Sequence, residues 1–150
     1  MQGTENTKIK NRGIGGELVK SIHDRIDLIL SGHPAKIFIE AGTNDISADM
    51  PIDTSIYYNN KIIDKVMLIS PGTKLYMLPV FPRNVKNDQI KKYNKKLKEL
   101  CINRKVEFVD IYNYYITNGE YNKNLIDYDG LHLNSKGYLL LTKLLKPICQ

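Results

Sequence analysis

Two kinds of segment alternate along the chain: segments in which apolar residues recur with the period of a helix, and short segments that are almost entirely apolar. A first amphipathic helix is predicted by apolar residues three to four positions apart: Leu18, Ile22, Ile26 and Ile29. Gly32 and Pro34 are typical residues for ending it. Residues 35–41 come next, and their nearly continuous apolar character predicts a strand that is covered on both faces.

The same alternation continues to the end of the chain. A second helix is expected at about residues 53–69, a strand at 74–80, a helix at about 88–103, a strand at 106–111 and a final helix at about 135–146. A short strand is also expected at 8–10, and a long loop with five tyrosines at 112–128. Inward-facing positions are expected at Ile56, Ile63, Val66 and Met67 in the second helix, and at Leu140, Leu141, Leu144 and Leu145 in the last.

Strands that alternate with helices indicate a parallel sheet with helices on both faces. Right-handed crossovers then place the carboxyl ends of all the strands on one rim, where open α/β sheets bind their ligands. Three polar segments come after predicted strands: the glycine-rich turn 11–17, the segment 42–45 and the segment 129–132. The pattern therefore predicts a site where these three segments meet.

The glycine-rich turn has three possible roles. Gly13, Gly15 and Gly16 could form a tight turn, could hold a phosphate at a helix start, or could offer a backbone N–H to an oxyanion. A dinucleotide fingerprint is excluded because Leu18 stands where a third glycine is required. Asn44 also has two possible roles. Its segment suits a turn, in which asparagine tolerates left-handed geometry and Asp45 could cap the following segment. Alternatively, the Asn44 amide could donate a hydrogen bond to an oxyanion.

Asp129 and His132 are three residues apart in the segment Asp-Gly-Leu-His. One interpretation is structural: Asp129 forms a turn, and Asn134 or Ser135 caps the final helix. The other is catalytic, because a carboxylate at this spacing can hold one ring nitrogen of His132 while the other faces a substrate.

Composition narrows the possible functions. The chain has 150 residues, 42% hydrophobic and 25% charged, as expected for one globular domain spanning 1–150. The formal charge of +6 includes five lysines of the helix predicted at about residues 88–103, Lys91, Lys92, Lys95, Lys96 and Lys98. We interpret these lysines as a solvated face and not a nucleic-acid surface. No apolar run is long enough for a membrane span, and the first ten residues lack a signal-peptide pattern, so a cytoplasmic location is expected.

Three segments, in this order and spacing, resemble the SGNH (GDSL-like) hydrolase family of serine esterases and lipases. They are residues 11–17, residues 41–46 (Ala-Gly-Thr-Asn-Asp-Ile) and residues 129–137 (Asp-Gly-Leu-His-Leu-Asn-Ser-Lys-Gly). The resemblance implies a three-layer α/β/α sandwich with a parallel, flavodoxin-like sheet. It also implies ester hydrolysis without metal or cofactor, with Gly16 and Asn44 as the oxyanion hole, His132 as general base and Asp129 as its orienting acid. Acylated carbohydrates or small lipids are the substrates that the family suggests.

The family's nucleophilic serine, in a Gly-Asp-Ser motif on a first strand, has no counterpart in this sequence. Two explanations are open: an N-terminally truncated chain that lacks the first strand and helix, or a pseudoenzyme that keeps the pocket for binding. A basic interaction module that uses the lysine-rich helix is a more remote alternative. Without the first strand, residues 8–10 would have no partner, and Ile37 and Ile39 would border an unpaired edge that a strand from another peptide or another copy could fill.

Overall fold

The computed structural model describes residues 9–150, and its elements follow the predicted alternation. In chain order they are α1 (Val19–Leu30), β1 (Lys36–Glu40), α2 (Thr43–Ser47), α3 (Ile52–Ile69), β2 (Lys74–Leu78), α4 (Asn87–Arg104), β3 (Glu107–Phe108), a 3₁₀ turn (Tyr112–Tyr115), β4 (Ile116–Thr117), β5 (Glu120–Tyr121) and α5 (Ser135–Cys149). The fold class is a mixed α/β fold with a parallel sheet, as the sequence predicted.

The main sheet has three parallel strands in the order β1-β2-β3. Ile37 pairs with Leu75, and Met77 pairs with Phe108. Side chains of β2 alternate between the two faces, so that Leu75 and Met77 join the core under α1, α3 and α4, whereas Tyr76 and Leu78 pack towards α5. The sheet is therefore covered by helices on both sides, and its carboxyl ends form a common rim.

β1 is at an edge of this sheet, and no strand within residues 9–150 pairs with its other side. Among residues 9–150, β1 therefore has the unpaired edge that the sequence predicted beside Ile37 and Ile39. Lys8 lies outside the described residues, while Ile9 and Lys10 are not in a strand, and Ile9 is 65% exposed. The strand predicted at 8–10 is wrong for these two residues, because they have no neighbouring strand with which to form a ladder.

Two further predictions need correction. Met67 does not face inward but is 47% exposed, and Ile62 takes the buried position instead. Residues 112–128 are not a plain loop, because they contain the 3₁₀ turn and the antiparallel β4–β5 hairpin. Tyr115 anchors this segment: its ring is fully buried, and its hydroxyl donates to Gly137 O at 3.1 Å. The segment therefore packs as a small second sheet against the start of α5.

The lysine-rich face of α4 lies in solvent, as predicted. All five lysines are exposed, and two of them pair with acids, Lys96 with Asp53 and Lys98 with Asp110. Ile90 and Leu97 are buried on the opposite side of the helix. Within residues 9–150, no helix combines the length and the apolar character that crossing a bilayer requires.

Candidate active site

The glycine-rich turn ends in a left-handed residue, Gly16, with φ +81°. Glu17 is the next residue and pairs with Arg25 of α1 at 2.6 Å, and this hydrogen-bonded ion pair lowers the pKa of Glu17. The same guanidinium donates to Arg12 O at 2.8 Å, which ties both ends of the turn to α1. The tight-turn interpretation is thus confirmed for Gly16, and among residues 9–150 its N–H donates to no protein acceptor.

Asn44 lies in the first turn of α2 and reaches the glycine-rich turn directly. Its Nδ2 donates to Glu17 O at 2.9 Å, which places the Asn44 amide against the residue that follows Gly16. The turn interpretation allowed a left-handed asparagine at this position, but the left-handed residue is a glycine. Asn44 is helical, and Gly42 has the left-handed conformation with φ +116°.

Asp45 stabilises this arrangement from inside the protein. Its side chain is only 3% exposed; Oδ2 accepts from Val19 N at 3.0 Å, and Oδ1 accepts from Ser55 Oγ at 2.7 Å. The sequence suggested that Asp45 caps the segment after it, whereas the structure shows it satisfying the first N–H of α1. One carboxylate therefore joins α1, α2 and α3.

Tyr93 of α4 supports the backbone just before Asn44. Its side chain is fully buried, and its hydroxyl donates to Ala41 O at 2.8 Å while accepting from Asn59 Nδ2 at 2.8 Å. A Cβ added at Gly42 would lie 2.5 Å from the Tyr93 ring. Only glycine therefore fits at Gly42, for its left-handed backbone and for the space that Tyr93 occupies.

Two positively charged side chains, for which the sequence suggested no role, bind the C-terminal end of α2. Arg83 is 3% exposed and donates from Nη1 to Ser47 Oγ at 2.8 Å, while Lys86 Nζ donates to Ile46 O at 2.9 Å. Burial lowers the pKa of Arg83. Positive charge at a helix C-terminus is favourable, so both side chains help to fix the helix that carries Asn44. The only signal in the sequence was a charged residue just after a predicted strand.

Asp129 and His132 form the pair that their spacing predicted. Asp129 Oδ2 is 2.6 Å from His132 Nδ1, and Oδ1 accepts from the backbone N–H of His132 at 3.0 Å and of Leu131 at 2.8 Å. The hydrogen bond from the His132 ring, together with these two backbone N–H groups, lowers the pKa of Asp129 to about 2. The side chain of His132 remains 68% exposed, so the ring is oriented and accessible at the same time.

The structural interpretation of this segment is also confirmed. Asn134 is the N-cap of α5, and its Oδ1 accepts from Lys136 N at 2.9 Å and Gly137 N at 3.0 Å. Asp127 N donates to His132 O at 2.7 Å, which closes the turn around the pair. The two interpretations therefore do not compete, because one carboxylate oxygen of Asp129 forms the turn and the other holds the imidazole.

The loop between β2 and α4 connects the two halves of the site. On one side Arg83 contacts Ser47 of α2, and on the other Asn84 N donates to Gly130 O at 2.9 Å. The segments of Gly16, Asn44 and His132 are thus linked along the rim by hydrogen bonds, although His132 and Asn44 are not bonded to each other. No described serine hydroxyl bonds to the His132 ring, whose partner is Asp129 alone. Residues 9–150 also contain no group of three His, Cys, Asp or Glu side chains that could hold a metal ion.

Comparisons with known proteins point in one direction. A model of the GDSL-like lipase/acylhydrolase family matches residues 2–140. A solved Streptococcus pneumoniae protein, described as a platelet activating factor, has a TM-score of 0.87 and 31% identity, with 95% of this chain and 72% of that chain covered. A Bacteroides fragilis protein, assigned as an acylhydrolase, has a TM-score of 0.79 and 24% identity over 91% of this chain and 72% of that one. A GDSL-like lipase from Bacteroides thetaiotaomicron has a TM-score of 0.78 and 21% identity over 91% and 73%. A search of curated proteins gave no match.

Proposed function

This chain belongs to the GDSL-like lipase/acylhydrolase family, and we propose that its rim is a carboxylic-ester hydrolase site with Asp129 and His132 as the acid–base pair. The observation that carries the proposal is the 2.6 Å contact between Asp129 Oδ2 and His132 Nδ1. An ionised carboxylate only accepts hydrogen bonds, so Nδ1 carries the ring proton and Nε2 is left as a proton acceptor. An accessible ring with this tautomer is suited to general-base catalysis.

The oxyanion hole in this proposal consists of the Gly16 N–H and the Asn44 amide. Asn44 Nδ2 has two hydrogens, of which one is used on Glu17 O. The second hydrogen, and the N–H of Gly16, which has no acceptor among residues 9–150, are then available to a carbonyl oxygen that becomes negative during attack. Because Asp45 and Tyr93 hold this region from the core, the donors are fixed before the substrate arrives, and such preorganisation is what stabilises a transition state.

The complete reaction requires a nucleophile. A serine hydroxyl would transfer its proton to His132 Nε2 while its oxygen attacks the ester carbonyl, and the alcohol would leave with the proton from His132. Water would then hydrolyse the acyl-enzyme with the same base. This sequence has no Gly-Asp-Ser motif, so we propose that residues 1–150 alone hydrolyse esters only at a residual rate. Acyl esters of carbohydrates or small lipids are the proposed substrates.

The test is the hydrolysis of p-nitrophenyl acetate by the purified 150-residue protein. Oxyanion stabilisation and positioning leave about a thousandfold acceleration over water when a nucleophile is missing. His132 can add to this rate by taking a proton from an attacking water molecule. We expect this residual activity to fall in both His132→Ala and Asn44→Ala. His23→Ala is the matched control, because His23 Nδ1 also contacts a carboxylate, Asp24 Oδ1 at 2.9 Å, but on the exposed surface of α1.

Each outcome of this assay is informative. Residual hydrolysis that is equal in His132→Ala, Asn44→Ala and the parent protein would refute the proposed site. Turnover at ordinary enzyme rates that depends on His132 would support the site but refute the proposed low activity, because another residue would then be the nucleophile.

A second candidate function is that of a pseudoenzyme, which binds an acylated carbohydrate or lipid without cleaving it. It is favoured by one observation, that no described serine hydroxyl is bonded to His132. Saturable binding of an acylated sugar with no His132-dependent hydrolysis would identify this alternative.

A further inference from the structure

The outer edge of β1 has no neighbouring strand among residues 9–150, although its inner edge pairs with β2 along the whole length of the strand. The described residues before α1 form no backbone hydrogen bond with β1 either. A row of unpaired N–H and C=O groups at the edge of a sheet is a template for a strand from another chain. β1 therefore presents an interaction surface that the fold of residues 9–150 leaves open.

The ladder between β1 and β2 determines which residues face this open edge. Lys74 N donates to Ala35 O at 3.0 Å, so the odd-numbered residues of β1 direct their backbone groups towards β2. Backbone direction alternates along a strand, and Lys36, Phe38 and Glu40 therefore direct theirs outwards. A strand that pairs here must place its own outward-facing residues opposite these three.

The sequence of β1 is complementary to itself when a second copy runs in the opposite direction. With Phe38 at the centre, Lys36 lies opposite Glu40 of the second copy, and Glu40 lies opposite its Lys36. Ile37 and Ile39 meet in the same way on the other face. Opposite charges directly across an antiparallel ladder stabilise it, whereas like charges destabilise it. This register also pairs outward-facing residues only with outward-facing residues.

The aromatic residues of the sheet favour the same register. Phe38 lies opposite Tyr76 of β2, and the two rings are stacked, with centroids 4.7 Å apart and an angle of 11° between their planes. Neighbouring strands of a sheet are also about 4.8 Å apart, so Phe38 of a second copy would continue this stack. Both residues are only partly buried on the side of α5, and the second copy would cover the exposed part of Phe38.

Both charged side chains of β1 are available for this pairing. Lys36 Nζ donates to Ile148 O at 2.6 Å and to Gln150 O at 2.7 Å, which leaves one of the three ammonium hydrogens unused. Glu40 keeps an exposed surface, and its carboxylate accepts from Thr43 Oγ1 at 3.3 Å. Among residues 9–150, neither Lys36 nor Glu40 has an ion-pair partner. Desolvation by the surrounding protein raises the pKa of Glu40 to about 7, so the carboxylate is charged above that pH.

We propose that the 150-residue protein binds a second copy of itself through the β1 edge, in a two-fold symmetric dimer whose antiparallel β1–β1 ladder is centred on Phe38. The two three-stranded sheets then form one continuous sheet. Because both β1 edges are used up in this contact, it closes at two copies and does not grow into a fibre. The two candidate active sites lie at opposite ends of the joint sheet, so the inference does not depend on the proposed function.

The test is analytical ultracentrifugation of the purified protein at a pH above the pKa of Glu40. We expect a concentration-dependent equilibrium between monomer and dimer. Lys36→Glu places like charges opposite each other twice in the symmetric dimer, and it should raise the dissociation constant about tenfold. Glu40→Lys should do the same. Lys92→Glu is the matched control, because this lysine is exposed on α4, away from β1, and its reversal should leave the dissociation constant unchanged.

A mixture of the two variants is the decisive measurement. In a mixed dimer of Lys36→Glu with Glu40→Lys, opposite charges face each other again at both positions. We therefore expect mixed dimers to form with the affinity of the parent protein, although each variant alone dimerises weakly. This recovery also excludes misfolding of either variant as the cause of the weakened association.

Three results would overturn the inference. They are a parent protein that is monomeric at every concentration, an equal loss of dimer in Lys92→Glu, and a mixture that associates no better than the separate variants. Hydrogen exchange provides an independent check, because the amides of Lys36, Phe38 and Glu40 should gain protection as the protein concentration rises. Full protection of these amides in a monomer would show that a strand of the same chain fills the edge, and would refute the second copy.

Discussion

The two halves of the candidate site are held by opposite means. The half with Gly16 and Asn44 is fixed from the core, through Asp45, Tyr93 and Arg83, which are almost fully buried. The half with Asp129 and His132 is exposed and is fixed by hydrogen bonds within a few residues of chain. The position of the Asn44 amide therefore depends on the whole fold, whereas the Asp129–His132 contact depends on a short stretch of chain.

This difference fits the proposed chemistry. Oxyanion donors act by being rigid, because their value lies in not having to reorganise during the reaction. A general base must be oriented by its acid and must still be open to the substrate, and the exposed ring of His132 meets both conditions. Substitutions in each half test whether the two halves differ in this way, and their expected effects range from a large loss of stability to a shift in one titration midpoint.

Gly42→Ala should be the most damaging change. A methyl group would enter the space of the Tyr93 ring at a left-handed position, and we expect a loss of about 3 kcal/mol in the free energy of unfolding. Urea denaturation monitored by circular dichroism measures it. Gly72→Ala is the control, because no atom lies within 4 Å of an added Cβ there, and its midpoint should be nearly unchanged. Equal effects at both glycines would show that Tyr93 does not constrain this segment.

Asp45→Ala should destabilise the protein more than Asp129→Ala does. It leaves Val19 N and Ser55 Oγ without their buried acceptor, which should lower the free energy of unfolding by about 2 kcal/mol. Asp129→Ala removes a carboxylate of the exposed half, so its denaturation midpoint should change much less, while any His132-dependent hydrolysis should be lost. A larger destabilisation by Asp129→Ala than by Asp45→Ala would contradict the comparison.

Asn134→Ala should have a smaller effect, confined to the exposed half. It removes the N-cap of α5, which costs about 1 kcal/mol. Ser135→Ala, one position later, leaves that cap in place and should change stability little. NMR should show shifted amides from Leu125 to Gly137, with the α1 and α2 amides unaffected. Changes that spread to the Asn44 segment would mean that the two halves are structurally coupled.

The titration of Asp129 should report on the exposed half alone. The folded-state pKa of Asp129 is about 2, below its ordinary value of 3.8, so the stabilisation by its charge is present above pH 3.8 and is lost as pH falls through about 2. Carboxyl NMR should give a midpoint near 2 in the parent protein. In His132→Ala the midpoint should rise towards 3.8, because the largest cause of the shift is removed. A midpoint that stays low without the ring would assign the shift to the backbone N–H groups instead.

Several features could be predicted from the sequence because they depend on local pattern. Helical spacing in α1 and the apolar run of β1 predicted the layers of the fold, and the family membership was predicted from three short segments. The Asp129–His132 contact could be predicted for the same reason: a spacing of three residues in a turn brings both side chains together. The roles of Gly16, Asn44, Asp129 and His132 in catalysis remain predictions.

Other features were decided only by the tertiary structure. Asp45 satisfies an N–H that lies 26 residues earlier in the chain, and Tyr93 meets a carbonyl 52 residues away. Such partners have no signature in a local window, because they depend on how helices pack across the sheet. The exposed Met67 and the β4–β5 hairpin escaped prediction for the same reason. Local spacing determined the acid–base pair, whereas the fixed position of the Asn44 segment depends on packing between distant segments.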